Sequence, residues 1–328
     1  MSSLPLRTFG TSPLEVSVLG LGCNNLGRSR APSESFEGSL AVVDAALEAG
    51  ITFFDVADNY GSRPGVSEEF LGRALGSRRE HVVIATKFGM DTRDPELAQL
   101  GPRGARRYIR AAVEGSLRRL GTEWIDLYQY HTPDGVTPLA ETLDALAELV
   151  AEGKVRYVGH SNMAGWQLGA GELAAARRSD GVRFVSAQNH YNLLDRRAEL
   201  EVLPAAREFG LGVLPYFPLA NGLLTGKYSA GARPADARLV HSKPQELENA
   251  PWETVERLEA FCAARGISMV ALAIGWLLAQ EPVTSVIAGA TRPAQIAANA
   301  EAARWVPTAE DLAELDEISP PPSKVALF

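Results

Sequence analysis

Asp55, Tyr60, Lys87 and His131 are the residues whose types and spacing could do proton chemistry in this sequence. Asp55 lies in the apolar run ITFFDVA (51–57), and Tyr60 follows five residues later in the glycine-bounded loop FDVADNYGS (54–62). Lys87 follows HVVIAT, and His131 follows IDLYQY. Singly, each has a plain structural reading: a strand end, a cover for an apolar edge, a solvated cap, a structural histidine. Together they carry a restricted chemistry. A free phenol titrates near ~10, too high for efficient proton exchange at neutral pH. A neighbouring ammonium favours phenolate and lowers that value, while a carboxylate beside the ammonium holds it charged and oriented. An imidazole could donate to a carbonyl oxygen or help tune the phenol. No metal-ligand cluster stands out, nor any serine or cysteine beside a base. The set points to acid–base chemistry at a carbonyl or alcohol. A nicotinamide would carry the electrons, because hydride transfer is cofactor chemistry.

The elements that must position these groups follow an alternating pattern. The opening segment reads as a hairpin, LPLRTF and LEVSVLGLG about a GTSP turn. Strand-like segments then recur at 16–22, 51–57, 81–87, 124–131, 154–162, 183–191, 211–217 and 283–290. Helical periodicity falls between them at 35–49, 67–75, 103–120, 137–153, 164–178, 195–209, 252–265, 268–280 and 293–303, and Ser67 with its acidic neighbours suits a helix start. Apolar cores such as VVIA and SVIA suit strands buried on both faces. Eight strand–helix units without an evident linker predict an α/β fold, a (β/α)8 TIM barrel over 1–328 as one domain, with long loops at its C-terminal face. In such a barrel the site lies at the strand C-termini, where Asp55, Lys87 and His131 arrive from consecutive strands.

Later strand ends supply further polar groups. Ser161 and Asn162 follow strand five and Gln188 strand six, as a carboxamide would need, and Tyr216 after strand seven offers a stacking face. Thr291 and Arg292 precede the last helix, a plausible phosphate site. Two nucleotide motifs fail. GLGCNNLG (20–27) has Asn25 where a dinucleotide fingerprint needs its third glycine, and no helix begins promptly after it. NGLLTGKY (221–228) is one residue short of a P-loop and has Tyr228 in place of Ser/Thr.

The chain has 328 residues, 46% hydrophobic and 22% charged, with a formal net charge of −8, the make-up of an ordinary soluble globular protein. That charge, with no long basic run, argues against a polyanion binder. Cys23 and Cys262 share no disulfide or metal spacing, no secretory signal is evident, and no run approaches 18 apolar residues. A cytoplasmic protein without a membrane or nucleic-acid partner is expected, as a monomer or small homo-oligomer.

In order and spacing, GLGCNNLG, FFDVADNYGS with SEEFLGRAL, IATKFG, DLYQYHTPD, VRYVGHSN, AQNHYNLL, YFPLANGLLTGKY and SVIAGATRPAQ resemble the aldo-keto reductases over essentially the full length. The resemblance implies a barrel that binds NADP(H) in extended form, with Tyr60 as general acid and Asp55, Lys87 and His131 completing a tetrad. It implies carboxamide contacts from Ser161, Asn162 and Gln188 and ring stacking by Tyr216. Leu219, Gly222, Leu224, Gly226 and Lys227 would cover the pyrophosphate, and Thr291, Arg292, Gln295 and Asn299 would hold the adenosine 2′-phosphate end. Gly22, Cys23, Asn24, Phe217 and Gly289 complete the implied cofactor set. Three positions depart from the common pattern: Ala298 where a glutamate often stands, Phe217 where serine is common, and His160 before the Ser-Asn pair. His160 reads as a barrel-wall histidine satisfied by a neighbour rather than as a second proton relay. Arg292 favours NADPH over NADH.

The expected reaction is NADPH-dependent reduction of an aldehyde or ketone. The alternatives are an aldose dehydrogenase running oxidatively and a redox-sensing regulatory subunit with slow turnover. Substrate contacts are expected from Asn25, Tyr60, His131 and Trp252, with the loops 89–104 and 229–250 and the tail ending in Phe328 shaping the pocket.

Overall fold

The computed structural model of the protein describes residues 4–92, 94–229, 231, 239 and 244–323. Phe328 and the rest of the 325–328 tail lie outside the described residues. So do Arg93 and residues 230, 232–238 and 240–243 of the expected substrate loops.

An antiparallel hairpin of β1 (Leu6–Thr8) and β2 (Glu15–Ser17) precedes the eight strands of the main sheet. These are β3 (Leu19–Gly22), β4 (Phe53–Asp55), β5 (Val83–Phe88), β6 (Ile125–Tyr130), β7 (Val155–Ser161), β8 (Phe184–His190), β9 (Gly212–Tyr216) and β10 (Val286–Gly289). All pair in parallel, in the order β10-β3-β4-β5-β6-β7-β8-β9. The ring closes just ahead of β10: Val213 N donates to Pro282 O, and Thr284 N donates to Val213 O. This is the predicted (β/α)8 barrel with its hairpin. The helices that return the chain are α1 (Phe36–Glu48), α2 (Val66–Leu75), α3 (Pro95–Ala98), α4 (Arg106–Leu120), α5 (Leu139–Ala151), α6 (Gly165–Ala175) and α7 (Val202–Glu208). After β9 come α8 (Pro244–Glu248), α9 (Trp252–Arg265) and α10 (Met269–Leu278); α11 (Pro293–Ala302) and α12 (Ala309–Ile318) follow β10.

Alternation along each strand sorts side chains into a barrel interior and a wall facing the helices. The lower interior is apolar: Phe53, Ala85, Leu127, Leu214 and Ile287 meet there, and Phe9, Leu14 and Val16 of the hairpin segment plug it from below. Gly212 makes room for that plug, since a Cβ there would sit 2.7 Å from the Phe9 ring. Two residues further along the same strand faces stand Asp55, Lys87 and Gln129. The upper layer is therefore polar where the lower is greasy. Burying each large apolar side chain of the lower layer contributes about 1.5–3 kcal/mol.

Several sequence expectations shift locally. Ser67 does not cap α2. Gly65 does, at φ 82°, and the Ser67 hydroxyl instead donates to Cys23 O at 2.5 Å, tying the helix to the loop after β3. The helix expected over 195–209 shortens to α7, because 192–201 folds into a turn stitched by Arg196–Glu199 and Arg197–Asp195 ion pairs. The C-terminal α12, opened by Thr308 and Asp311 capping each other's backbone N–H, was not anticipated from periodicity.

Candidate active site

β4, β5 and β6 bring three of the expected groups to one rim, and the loop after β4 adds the fourth. Lys87 Nζ donates to Asp55 Oδ2 at 2.6 Å, to Val56 O at 3.0 Å and to Tyr60 Oη at 3.5 Å. The Lys87 side chain is fully buried and that of Asp55 nearly so. The His131 ring stands edge-on to Tyr60, centroids 5.9 Å apart. Backbone bonds lock this arrangement: Val56 N donates to Ala85 O, Asp58 N to Lys87 O, Ser67 N to Tyr60 O, and His131 N to Phe88 O.

The electrostatics correct one expectation. Burial pushes the Tyr60 phenol above its ordinary value, and the opposing Lys87 charge does not reverse this. The sequence-level argument had the lysine lowering it. Depth of burial decides the sign, so the resting side chain is a neutral phenol. Burial opposes the charge on Lys87, but the contact with Asp55 overcomes it and raises the ammonium's pKa, so it stays protonated at neutral pH. Burial, reinforced by Lys87, holds His131 well below the usual histidine range. The site thus contains a phenol that keeps its proton, a fixed cation beside it and a neutral imidazole. Such a set can deliver a proton to a developing alkoxide while stabilising negative charge.

Gln129 was missed by the sequence reading. Its Nε2 donates to Asp55 Oδ1 at 3.2 Å, and Gln188 Nε2 donates to the same oxygen at 2.8 Å. Asp55 is therefore held from both sides, by Lys87 on one oxygen and two amides on the other. The signal was present, since Gln129 stands two residues before His131 and shares its strand face. Beneath the Tyr60 loop lies a buried group that no motif announced. Glu68 accepts from Thr86 Oγ1 at 2.5 Å and pairs with Arg119 at 2.6 Å. Asp58 and the Tyr128 hydroxyl are also buried there, with no partner in good hydrogen-bond geometry among the described residues.

On the far side of the mouth, Asn162 holds a left-handed backbone (φ 58°). Its Nδ2 donates to His131 O (3.0 Å) and Ser161 Oγ (3.1 Å), while its Oδ1 accepts from Tyr216 Oη at 2.7 Å. Ser161 Oγ donates to Gln188 O at 2.8 Å. Ser161, Asn162, Gln188 and Tyr216 are thus one linked set, joined through Asp55 and His131 to Tyr60. After β9 the backbone turns repeatedly through positive φ, at Phe217, Ala220, Asn221, Gly222 and Gly226. Leu219 and Leu224 lie within this turn, and the Lys227 ammonium lies over Tyr228.

Gly22, Asn24, Asn25 and Gly289 meet where β3 and β10 end. A Cβ on Gly289 would lie 3.1 Å from Asn25 Nδ2 and 3.5 Å from Asn24 Oδ1. Cys23 between them is fully buried. Asn25 is buried too, its Oδ1 accepting from Arg28 and its carbonyl from Ser33. Thr291 and Arg292 lead into α11, where Gln295 Oε1 accepts from both of their backbone N–H groups and Asn299 is buried one turn on. Trp252 opens α9 beside Ala250 and Pro251, which line a cavity of about 340 Å³ with His190 and Asn192. His160 faces away from the site, edge-on to Phe184 at 5.1 Å. The neighbour expected to satisfy it is absent: neither ring nitrogen has a hydrogen-bond partner among the described residues, and burial pushes it down to about 3.

No helix among the described residues is long and apolar enough to cross a membrane. The model of the Aldo/keto reductase family matches residues 18–320. The chain is 38% identical over 324 residues to a Bacillus subtilis (strain 168) protein named uncharacterized oxidoreductase YrpG, covering 96% of this chain and 95% of that one. It is 34% identical over 325 residues to L-glyceraldehyde 3-phosphate reductase of Escherichia coli (strain K12), covering 95% and 91%. It is also 34% identical over 315 residues to a probable voltage-gated potassium channel subunit beta of Oryza sativa subsp. japonica, covering 92% of each. A barrel with acid–base groups gathered at its C-terminal rim and relatives matched nearly end to end lead to one assignment: the chain belongs to the aldo/keto reductase family, as an NAD(P)H-dependent oxidoreductase of small carbonyl compounds.

Proposed function

We propose that this protein reduces an aldehyde to an alcohol with NADPH, with Tyr60 as the proton donor. The observation that carries the reading is the buried Lys87 ammonium, bonded at once to Asp55 (2.6 Å) and Tyr60 (3.5 Å). Tyr60 gives its proton to the carbonyl oxygen as that oxygen becomes an alkoxide. Lys87 then faces the phenolate left behind and stabilises it, and Asp55, Gln129 and Gln188 keep Lys87 aimed. His131, neutral, donates a hydrogen bond to the same oxygen and orients the substrate. Asn25 and Trp252 remain the proposed outer substrate contacts.

The cofactor supplies the hydride. The residues present fit it. Tyr216 keeps a half-exposed ring whose hydroxyl is pinned by Asn162, as a stacking plate requires. The repeated positive φ from Phe217 to Gly226, with the Lys227 side chain at its end, supports a pyrophosphate contact there. The exposed Arg292 at the start of α11 supports a 2′-phosphate contact, hence NADPH over NADH. Gly22, Cys23, Asn24, Gly289, Gln295 and Asn299 frame the remainder of that proposed site. We also read residues 1–328 as one catalytic domain.

The relative named L-glyceraldehyde 3-phosphate reductase supports an aldehyde as substrate. The relative named as a channel subunit keeps a slow-turnover regulatory role as the second reading. NADPH consumption by the purified protein against an aromatic aldehyde, a dicarbonyl, an aldose and a quinone separates the two. Sustained turnover supports the enzyme; tight NADPH binding with negligible oxidation supports the regulatory reading.

A further inference from the structure

Tyr216 has a second ring behind it. His190 and Tyr216 are register partners on β8 and β9. Their rings stack with centroids 5.4 Å apart and planes 13° apart. Phe217 packs edge-on against both, at 5.1 Å from Tyr216 and 5.5 Å from His190. With one face of Tyr216 covered and its hydroxyl tied to Asn162, the ring is fixed in height and in rotation.

The imidazole is itself held at both nitrogens. Nδ1 lies 3.2 Å from Asp195 Oδ2, and Nε2 lies 3.2 Å from Asn192 Nδ2. The Asn192 amide cannot turn over, because its Oδ1 accepts from the backbone N–H groups of Leu194 and Asp195 while Nδ2 also donates to Phe217 O. Nδ2 therefore presents a hydrogen to Nε2, which must accept it, and Nδ1 carries the proton towards Asp195. Other charged groups face this ring. Arg197 shares Asp195 at 2.6 Å, and Glu246 lines the same cavity from α8.

We propose that His190 is a positioning residue that backs Tyr216 as a neutral plate, and that its protonation weakens binding of the oxidised, cationic nicotinamide selectively over the reduced, neutral one. The inference rests on the reading of Tyr216 as the nicotinamide's stacking partner. A proton on Nε2 would oppose the Asn192 N–H and place a positive charge behind the tyrosine ring. The reduced ring carries no charge to be repelled. At the effective permittivity of a protein, such a charge across one aromatic ring changes the ratio of the two affinities by about 3- to 10-fold.

The test is binding rather than turnover: dissociation constants for NADP⁺ and for NADPH, by quenching of intrinsic tryptophan fluorescence, from pH 5 to 8. The 2′-phosphate titrates in this range but is common to both forms, so it cancels in the ratio Kd(NADP⁺)/Kd(NADPH). The wild-type ratio should rise about 3- to 10-fold as pH falls through the imidazole titration. His190→Phe keeps the plate without the charge, and its ratio should be flat. Asp195→Asn, which removes the carboxylate that favours imidazolium, should move the rise to lower pH. A flat wild-type ratio, or an unchanged rise in His190→Phe, would overturn the proposal; the second result would assign the titration to another group such as His131. Failure of either form to bind at any pH would overturn the cofactor reading, and this inference with it.

Discussion

Asp58 sits two residues before Tyr60, is only 2% exposed, and neither carboxyl oxygen has a partner in good hydrogen-bond geometry. Burial pushes its carboxyl well above the usual range and the nearby Glu68 adds to this, while Arg119, Lys87 and the Asn59 N–H offset only part. A carboxyl raised in this way favours the fold most below its unfolded value, near ~3.9, and that advantage is lost as pH rises through the folded value. At pH 8 the protein therefore carries the cost of an unsatisfied buried acid. Asp58→Asn keeps the shape and removes the ionisation. Ionising a buried carboxyl without a partner adds about 1–3 kcal/mol to what a neutral amide costs in the same place, and for a chain of this size each kcal/mol moves Tm by about 2 °C. The variant should thus melt about 2–6 °C higher at pH 8. Its advantage should shrink as pH falls towards ~4, with a slope of no more than ~1.4 kcal/mol per pH unit. Thermal melts of both proteins across pH 4–9 read this directly. A variant that melts lower than wild type at pH 8, or a difference independent of pH, would refute the reasoning. Either result would mean that Asp58 is satisfied as a carboxylate.

Three other perturbations probe different parts of the account. Lys87→Met strands Asp55 in the barrel without its cation, and should destabilise the fold by about 3–5 kcal/mol in denaturant titrations while also abolishing turnover. Gln129→Leu leaves Asp55 Oδ1 with Gln188 alone; it should lower kcat about 10-fold with KM for NADPH little changed, measured by steady-state kinetics. Arg292→Ala should narrow the NADPH-over-NADH preference by about 10-fold in kcat/KM, roughly the loss of one charge-assisted contact, and an unchanged ratio would place the phosphate elsewhere.

The barrel was legible because its strands announce themselves twice, by apolar runs such as HVVIAT and by a polar residue at the end of each. The rule that barrel sites lie at strand C-termini was enough to place Asp55, Lys87 and His131 on one rim, and strand alternation applied backwards from His131 would have added Gln129. The network under the Tyr60 loop was not legible. Asp58, Glu68, Thr86, Arg119 and Tyr128 come from five elements and meet only once α2 and α4 have packed on the wall. The sign of the Tyr60 shift was hidden for a related reason: the types of residue show that a lysine is near, but only the fold shows that both groups have left water. Local ionic stitching by Arg196 and Arg197 likewise overrode the helical period over 195–201.

The central claim is that Tyr60, aimed by Lys87, delivers the proton. Its most direct test is Tyr60→Phe, with aldehyde-dependent NADPH oxidation and NADPH affinity measured on the same preparation. The account expects kcat to fall at least the ~10²–10⁴-fold that follows loss of an acid–base group, with NADPH binding nearly unchanged. Turnover close to wild type in that variant would contradict it.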